Sequence, residues 1–306
     1  MNTAAPPAPR HRPSNHRLEF LPATEPGGLA CWLVLPDRPD ASRPALVAVH
    51  GIRRGAEEQA TRFAQRAAEM GRVVIAPLFD LQHWPRYQRL GDGAAAALLG
   101  LLDGLAGRQP APLARFDLFG FSGGAQFAHR FAMLHPERLN RLVLASAGWY
   151  TFPDTAPYPY GLGTQPAGSS TRAARMQARL DEFLRLPIDV CVGERDNRRD
   201  PNTRTGNGID RQQGRDRRAR ASRWTEAIAI EAAVRGIRSQ VRFSVLPGCG
   251  HDFRRCVRRG GLLDQVFREP LDTTRWPVSQ AHMAGPHWPP AARTGPALAA
   301  WQVQGS

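Results

Sequence analysis

Lysine is missing altogether: the 41 basic side chains of this 306-residue chain are all arginines, set against 27 carboxylates, for a formal net charge of +14. Such a balance can favour polyanions. These arginines are scattered, however, they accompany abundant Ala, Gly and Pro as in a codon bias, and no nucleic-acid-binding motif is recognisable, so no nucleic-acid partner is expected. Cysteine is scarce. Cys31, Cys191, Cys249 and Cys256 form no CxxC pair, which excludes the common metal-site spacings and leaves buried thiols as the reading. A Cys249–Cys256 bridge has no support in a reducing compartment. Long apolar runs are also lacking: none approaches the roughly 18 residues of a membrane span. Residues 1–15 lack the apolar stretch of a secretory signal, so a cytoplasmic location is expected.

What is present suits a folded α/β domain. Hydrophobic residues make up 42% of the chain, enough for one substantial core. Short runs rich in Val, Leu and Ile alternate with helix patterns. Strands are expected over 17–21, 29–35, 45–49, 72–77, 115–119, 141–145, 187–192 and 241–246. Continuous apolar runs such as Ala45-Leu46-Val47-Ala48-Val49 mark strands covered on both faces, and the alternation predicts a mostly parallel sheet with helices on both sides. A helix pattern runs from about Glu57 to Gly71, and Asp92 stands where it can cap the next. The expected organisation is a disordered lead (1–16), one domain (17–268) and a Pro-rich extension (269–306). Two insertions interrupt the domain: a lid at about 148–186 and an arginine-rich segment at about 197–223.

The chain is organised around Gly120-Phe121-Ser122-Gly123-Gly124, between a strand-like run and a helix-like run. A G-x-S-x-G there reads as a nucleophile elbow, with Ser122 held in strained, positive-φ geometry. A serine hydroxyl needs a base within hydrogen-bond reach and a third group to orient that base. Asp196 follows the strand ending Val192-Gly193, and His251 follows the final strand in Gly250-His251-Asp252. Glu194, Asp200 and Asp189 are the competing acids, and Asp196 is preferred for its distance past the strand end. His129 and His135 compete with His251 but fall on the elbow helix, where packing roles suffice. A developing oxyanion also needs donors already in place. Gly123 N–H, at the helix start, is one. The other comes from the loop after His50-Gly51, Ile52 ahead of Arg53, with His50 itself structural.

With these motifs the chain resembles the α/β-hydrolase superfamily over roughly 45–263: the His50-Gly51 loop, the 120–124 elbow, Gly193-Glu194-Arg195-Asp196 and Gly250-His251, in the order Ser, acid, His. Within it the chain is similar to bacterial serine esterases and, more loosely, to polyhydroxyalkanoate depolymerase-like hydrolases. It departs from the HGGG lipase pattern, since Ile52-Arg53 stands where glycines would be. The resemblance implies acyl transfer to water through an acyl-serine on a small-molecule ester, with no metal and no organic cofactor. A peptidase or acyltransferase would use the same groups, and a catalytically silent binding fold is a further alternative. Trp149 and Tyr150, just past the strand after the elbow, either wall the substrate pocket together with Phe152, Tyr158 and Tyr160 or serve as ordinary lid packing. Ten arginines lie between Arg195 and Arg223. They read as a solvated helix face and loop partly paired with Asp200, Asp210 and Asp216; the alternative is that one or two reach the cleft and bind a carboxylate or phosphate on the substrate. No signal for an oligomeric state is present.

Overall fold

The computed structural model describes residues 15–25, 27–163 and 171–268. The expected lead, but for its last two residues, and the extension 269–306 lie outside the described residues. Eight strands form one sheet: β1 (His16–Leu21), β2 (Ala30–Pro36), β3 (Leu46–Val49), β4 (Val74–Leu78), β5 (Phe116–Phe121), β6 (Leu139–Ala145), β7 (Pro187–Gly193) and β8 (Gln240–Leu246). Their spatial order is β1-β2-β4-β3-β5-β6-β7-β8. β1 and β2 pair antiparallel, β2 is antiparallel to β4, and the pairs from β4 through β8 are parallel.

Nine helices are described: α1 (Ala56–Glu69), α2 (Ala94–Leu105), α3 (Gly123–Leu134), α4 (Thr171–Ala178), α5 (Leu180–Leu184), α6 (Asn207–Gln213), α7 (Arg217–Val234), α8 (Phe253–Arg259) and α9 (Leu262–Val266). Side chains alternate across a strand, so each central strand feeds two cores. In β3, Val47 and Val49 join the larger core with Leu98, Phe127, Phe131, Trp224 and Ile228 from α2, α3 and α7. Leu46 and Ala48 join the smaller core with Ala60, Phe63 and Ala67 of α1 and Leu262 and Val266 of α9. Each large apolar side chain so buried contributes about 1.5–3 kcal/mol. The result places the C-terminal ends of β5, β7 and β8 along one edge.

Two local expectations are corrected. Asp92 does not cap α2: it sits at φ 60° in a short 3₁₀ turn, and its carboxylate accepts from Arg86 N and Arg86 Nη2 at 3.2 and 2.8 Å. Gly93 occupies the cap position instead. The segment expected as an arginine-rich insertion up to about 223 is helical from Arg217 onward, because Asp216 caps α7 by accepting from Ala219 N at 2.9 Å. Over its described residues, the segment 148–186 is packed into the domain: Tyr150, Phe152, Leu162, Met176 and Phe183 all belong to the larger core. Residues 164–170 of that segment lie outside the described ones.

Candidate active site

β5 runs into α3 through Ser122, whose backbone adopts φ 55° and ψ −113°. An L-residue holds that conformation only where its surroundings over-determine it. Two glycines make the fit. A methyl group on Gly120 would lie 2.3 Å from the Gly124 carbonyl oxygen, and one on Gly124 would lie 2.0 Å from the Val49 oxygen. Ser122 N donates to Ala145 O at 2.8 Å, tying the turn to β6. The obstructing atoms are backbone and cannot swing aside, so Gly124→Ala is expected to cost about 3 kcal/mol or more. Chemical denaturation checks this; an unchanged midpoint contradicts it.

The loop after β3 faces this turn and is immobilised by buried hydrogen bonds. His50 donates from Nδ1 to Gly51 O at 2.8 Å and accepts at Nε2 from Phe79 N at 3.0 Å, so its ring is neutral. Tyr87 donates its hydroxyl to His50 O at 2.7 Å. Arg54, at φ 62°, donates from Nη1 to Phe79 O and Trp84 O at 2.5 and 3.0 Å. Its guanidinium also lies 4.6 Å from the centre of the Tyr87 ring. These contacts bring Ile52 up to α3: a methyl on Gly123 would lie 3.3 Å from Ile52 N, and one on Gly51 would lie 3.4 Å from Ser122 Cβ. Two backbone N–H groups and the positive end of α3 thus gather beside the serine.

Burial pushes His50 from its ordinary 6.5 down to about 4, and burial likewise holds His129 well below the ordinary value. Both rings are neutral in the fold, whereas in the unfolded chain they take up protons below about pH 6.5. A depressed base confers stability above its unfolded pKa that is lost as pH falls. Stability is therefore expected to decline from about pH 6.5 towards 4, by roughly 3 kcal/mol from His50 alone. Urea midpoints measured across that range check this; a flat profile contradicts it.

The other two groups arrive from the ends of β7 and β8. The two turns are braced on each other: Arg195 N donates to Cys249 O at 2.7 Å, and Gly248 N to the Glu194 carboxylate at 2.7 Å. Glu194 is thereby committed to the loop, Asp189 to Arg141 and Arg242, and Asp200 to Arg217. Asp196 is the carboxylate that meets the imidazole. His251 Nδ1 lies 2.8 Å from Asp196 Oδ2, and His251 Nε2 lies 2.9 Å from Ser122 Oγ. The ring is steadied by stacking on Phe121, 5.3 Å between centroids. His129 is a packing residue, with Nδ1 on Ala125 O and Nε2 accepting from Thr151 N. Asp196 is 3% exposed, and its second oxygen, Oδ1, lies 3.3 Å from Arg217 Nη1.

Most arginines of the arginine-rich segment are exposed as expected, and Arg217 and Arg220 are the exceptions. Arg217 is 1% exposed and Arg220 is fully buried. Arg217 bonds Asp200 at 2.8 and 3.0 Å as well as Asp196. Its guanidinium holds the Asp200 carboxyl down to about 2. Arg220 bonds Asp210 and the carbonyls of Gly214, Gly148 and Arg204, pinning the loop beside the serine. A cavity of about 270 Å³ opens at Ser122, with Ile52, Gln126, Gly148 and Trp149 in its wall. Of the two residues considered for a pocket wall, Trp149 lines this cavity, whereas Tyr150 takes the packing role: its ring is fully buried, stacks on Trp224 at 4.9 Å and packs against His129, so it belongs to the core. Arg54, Tyr87 and Arg217 are site-shaping residues that sequence reasoning passed over. Arg217 carried one usable signal, its position just inside a helix opened by Asp216.

A mixed, mostly parallel sheet flanked by helices, with serine, acid and histidine at the ends of β5, β7 and β8, defines an α/β-hydrolase fold. The chain shares this fold with solved structures of hydrolases, in agreement with the resemblance carried by its motifs. It is similar to the poly(3-hydroxybutyrate) depolymerase LpqC from Bordetella parapertussis (TM-score 0.66, 25% identity, 78% of this chain and 83% of that one). It is also similar to poly(aspartic acid) hydrolase-1 from Sphingomonas sp. KT-1 (0.65, 22%, 78% and 94%). A third similar structure is an S-formylglutathione hydrolase from Agrobacterium tumefaciens (0.55, 14%, 83% and 94%); these last two speak for the fold alone. No protein-family model matches the sequence, nor does any curated protein at a significant level. Among the described residues no helix is long and apolar enough to cross a membrane, and no group of His, Cys, Asp and Glu could hold a metal ion.

Proposed function

We propose that the protein is a serine hydrolase that cleaves carboxylic esters through an acyl-serine intermediate. The observation that carries this is the unbroken hydrogen-bond chain Ser122–His251–Asp196, at 2.9 and 2.8 Å. Ser122 Oγ attacks the ester carbonyl carbon as its proton passes to His251 Nε2, and Asp196 holds the imidazole by its Nδ1–H and offsets the charge it gains. The oxyanion takes hydrogen bonds from Gly123 N–H and Ile52 N–H. Collapse breaks the C–O bond to the alcohol, which leaves with the His251 proton. Water then gives its proton to His251 and attacks the acyl carbon, and the carboxylic acid departs as Ser122 regains its hydrogen. The likeness to a poly(3-hydroxybutyrate) depolymerase supports an ester as the target.

The test is a panel of short-, medium- and long-chain 4-nitrophenyl esters with product analysis. Release of nitrophenol and free acid in equal amounts is expected. A folded protein that turns over no ester in the panel overturns the reading in favour of a silent binding fold.

A further inference from the structure

Among the described residues, the charged side chains that line the cavity at Ser122 are all cationic. Arg89, Arg204 and Arg217 line it, and among the described residues no Asp or Glu does. Arg217 is committed to Asp196 and Asp200. Arg89 and Arg204 are exposed, and among the described residues neither has a carboxylate partner. Arg204 lies across the site's aromatic wall, 5.7 Å from the Trp149 ring and 5.4 Å from that of Tyr160, and donates from Nε to the Tyr160 hydroxyl.

A further arginine stands behind the wall. Arg130 is fully buried, with its guanidinium 4.0 Å from the centre of the Trp149 ring. It donates to Thr151 Oγ1 at 3.0 Å and to the carbonyls of Gln88 and Gln126 at 2.8 and 2.9 Å, but Nη2 has no partner. Among the described residues no carboxylate pairs with it, and burial together with the like charges of Arg89 and Arg172 disfavours its cation. A buried charge with no counter-ion is costly, and its field is poorly screened. An anion in the cavity offsets that cost. Gln88 and Gln126 are also among the residues that line the cavity, each with a buried, unpartnered amide oxygen. A carboxamide turned over presents two N–H donors to an anion.

We propose that this cavity selects carboxylic esters bearing a second, free carboxylate, held at the rim by Arg89 and Arg204 and favoured by the fixed charge of Arg130 behind the wall. The inference rests on the ester-hydrolase reading and specifies its substrate class.

The test compares matched esters on the full chain. 4-Nitrophenyl hemiglutarate against 4-nitrophenyl butyrate places the carboxylate on the acyl half. 4-(Butyryloxy)benzoate against its methyl ester places it on the alcohol half. In at least one pair the anionic ester is expected to have a roughly five- to tenfold higher kcat/KM, carried by KM and shrinking as salt is added. In an Arg89→Gln/Arg204→Gln variant the anionic-to-neutral ratio should fall towards one. Both side chains are exposed, and circular dichroism verifies that the variant folds. Turnover of the neutral esters with no anionic preference in either pair, or a preference that the variant and salt leave intact, overturns the inference while the ester-hydrolase reading stands. Failure to turn over any of the four esters overturns both.

Discussion

Ser122→Ala is expected to lower kcat on carboxylic esters by about 10⁶-fold while leaving the fold intact. Alanine keeps the Cβ that the elbow already accommodates at φ 55° and removes only Oγ, so stability should move by little. Without Oγ no acyl intermediate forms. What remains is attack by water assisted by His251 and by the donors at Gly123 and Ile52, a residual of about 10³–10⁴ over the uncatalysed rate. Initial rates on a 4-nitrophenyl ester, with a thermal melt on the same sample, separate loss of chemistry from loss of structure. A variant retaining a tenth or more of the wild-type rate would remove Ser122 from its role.

Asp196→Asn is expected to lower kcat by about 10⁴-fold with little change in KM. The wild-type carboxylate accepts from His251 Nδ1 through Oδ2, which leaves Nε2 unprotonated towards Ser122. An asparagine that turns its NH₂ to Nδ1 forces the proton onto Nε2, where the ring can no longer accept from the hydroxyl. Arg217 guards against the alternative orientation. Its Nη1, 3.3 Å from Asp196 Oδ1, favours an acceptor there and so directs the amide NH₂ at the imidazole. Arg217 keeps its paired contact with Asp200, so the variant should fold. A fall of less than tenfold would favour another carboxylate as the acid.

The parts of this site that the sequence made legible share a local cause. Val47 and its neighbours in β3 have no polar face, which is the mark of a strand covered on both sides, and Gly120 and Gly124 carry a steric requirement visible without coordinates. Ser122, Asp196 and His251 were legible because each follows a strand end in a parallel sheet, and such ends share one edge. Tyr150 was not, because successive residues in an irregular loop have no fixed alternation. Trp149 turned to the cavity and Tyr150 to Trp224. The burial of Arg217 and Arg220 was hidden for a different reason: a run of charge reads as solvated unless its partners are known. Here those partners are Asp196, Asp200 and Asp210, with backbone carbonyls brought in from distant loops.

The most direct test is the intact mass of the protein after exposure to a fluorophosphonate, followed by peptide mapping. One adduct per chain, on the peptide containing Ser122 and lost in His251→Ala, is the predicted result. A folded wild-type protein that remains unlabelled, or an adduct mapping to any residue other than Ser122, would contradict the account.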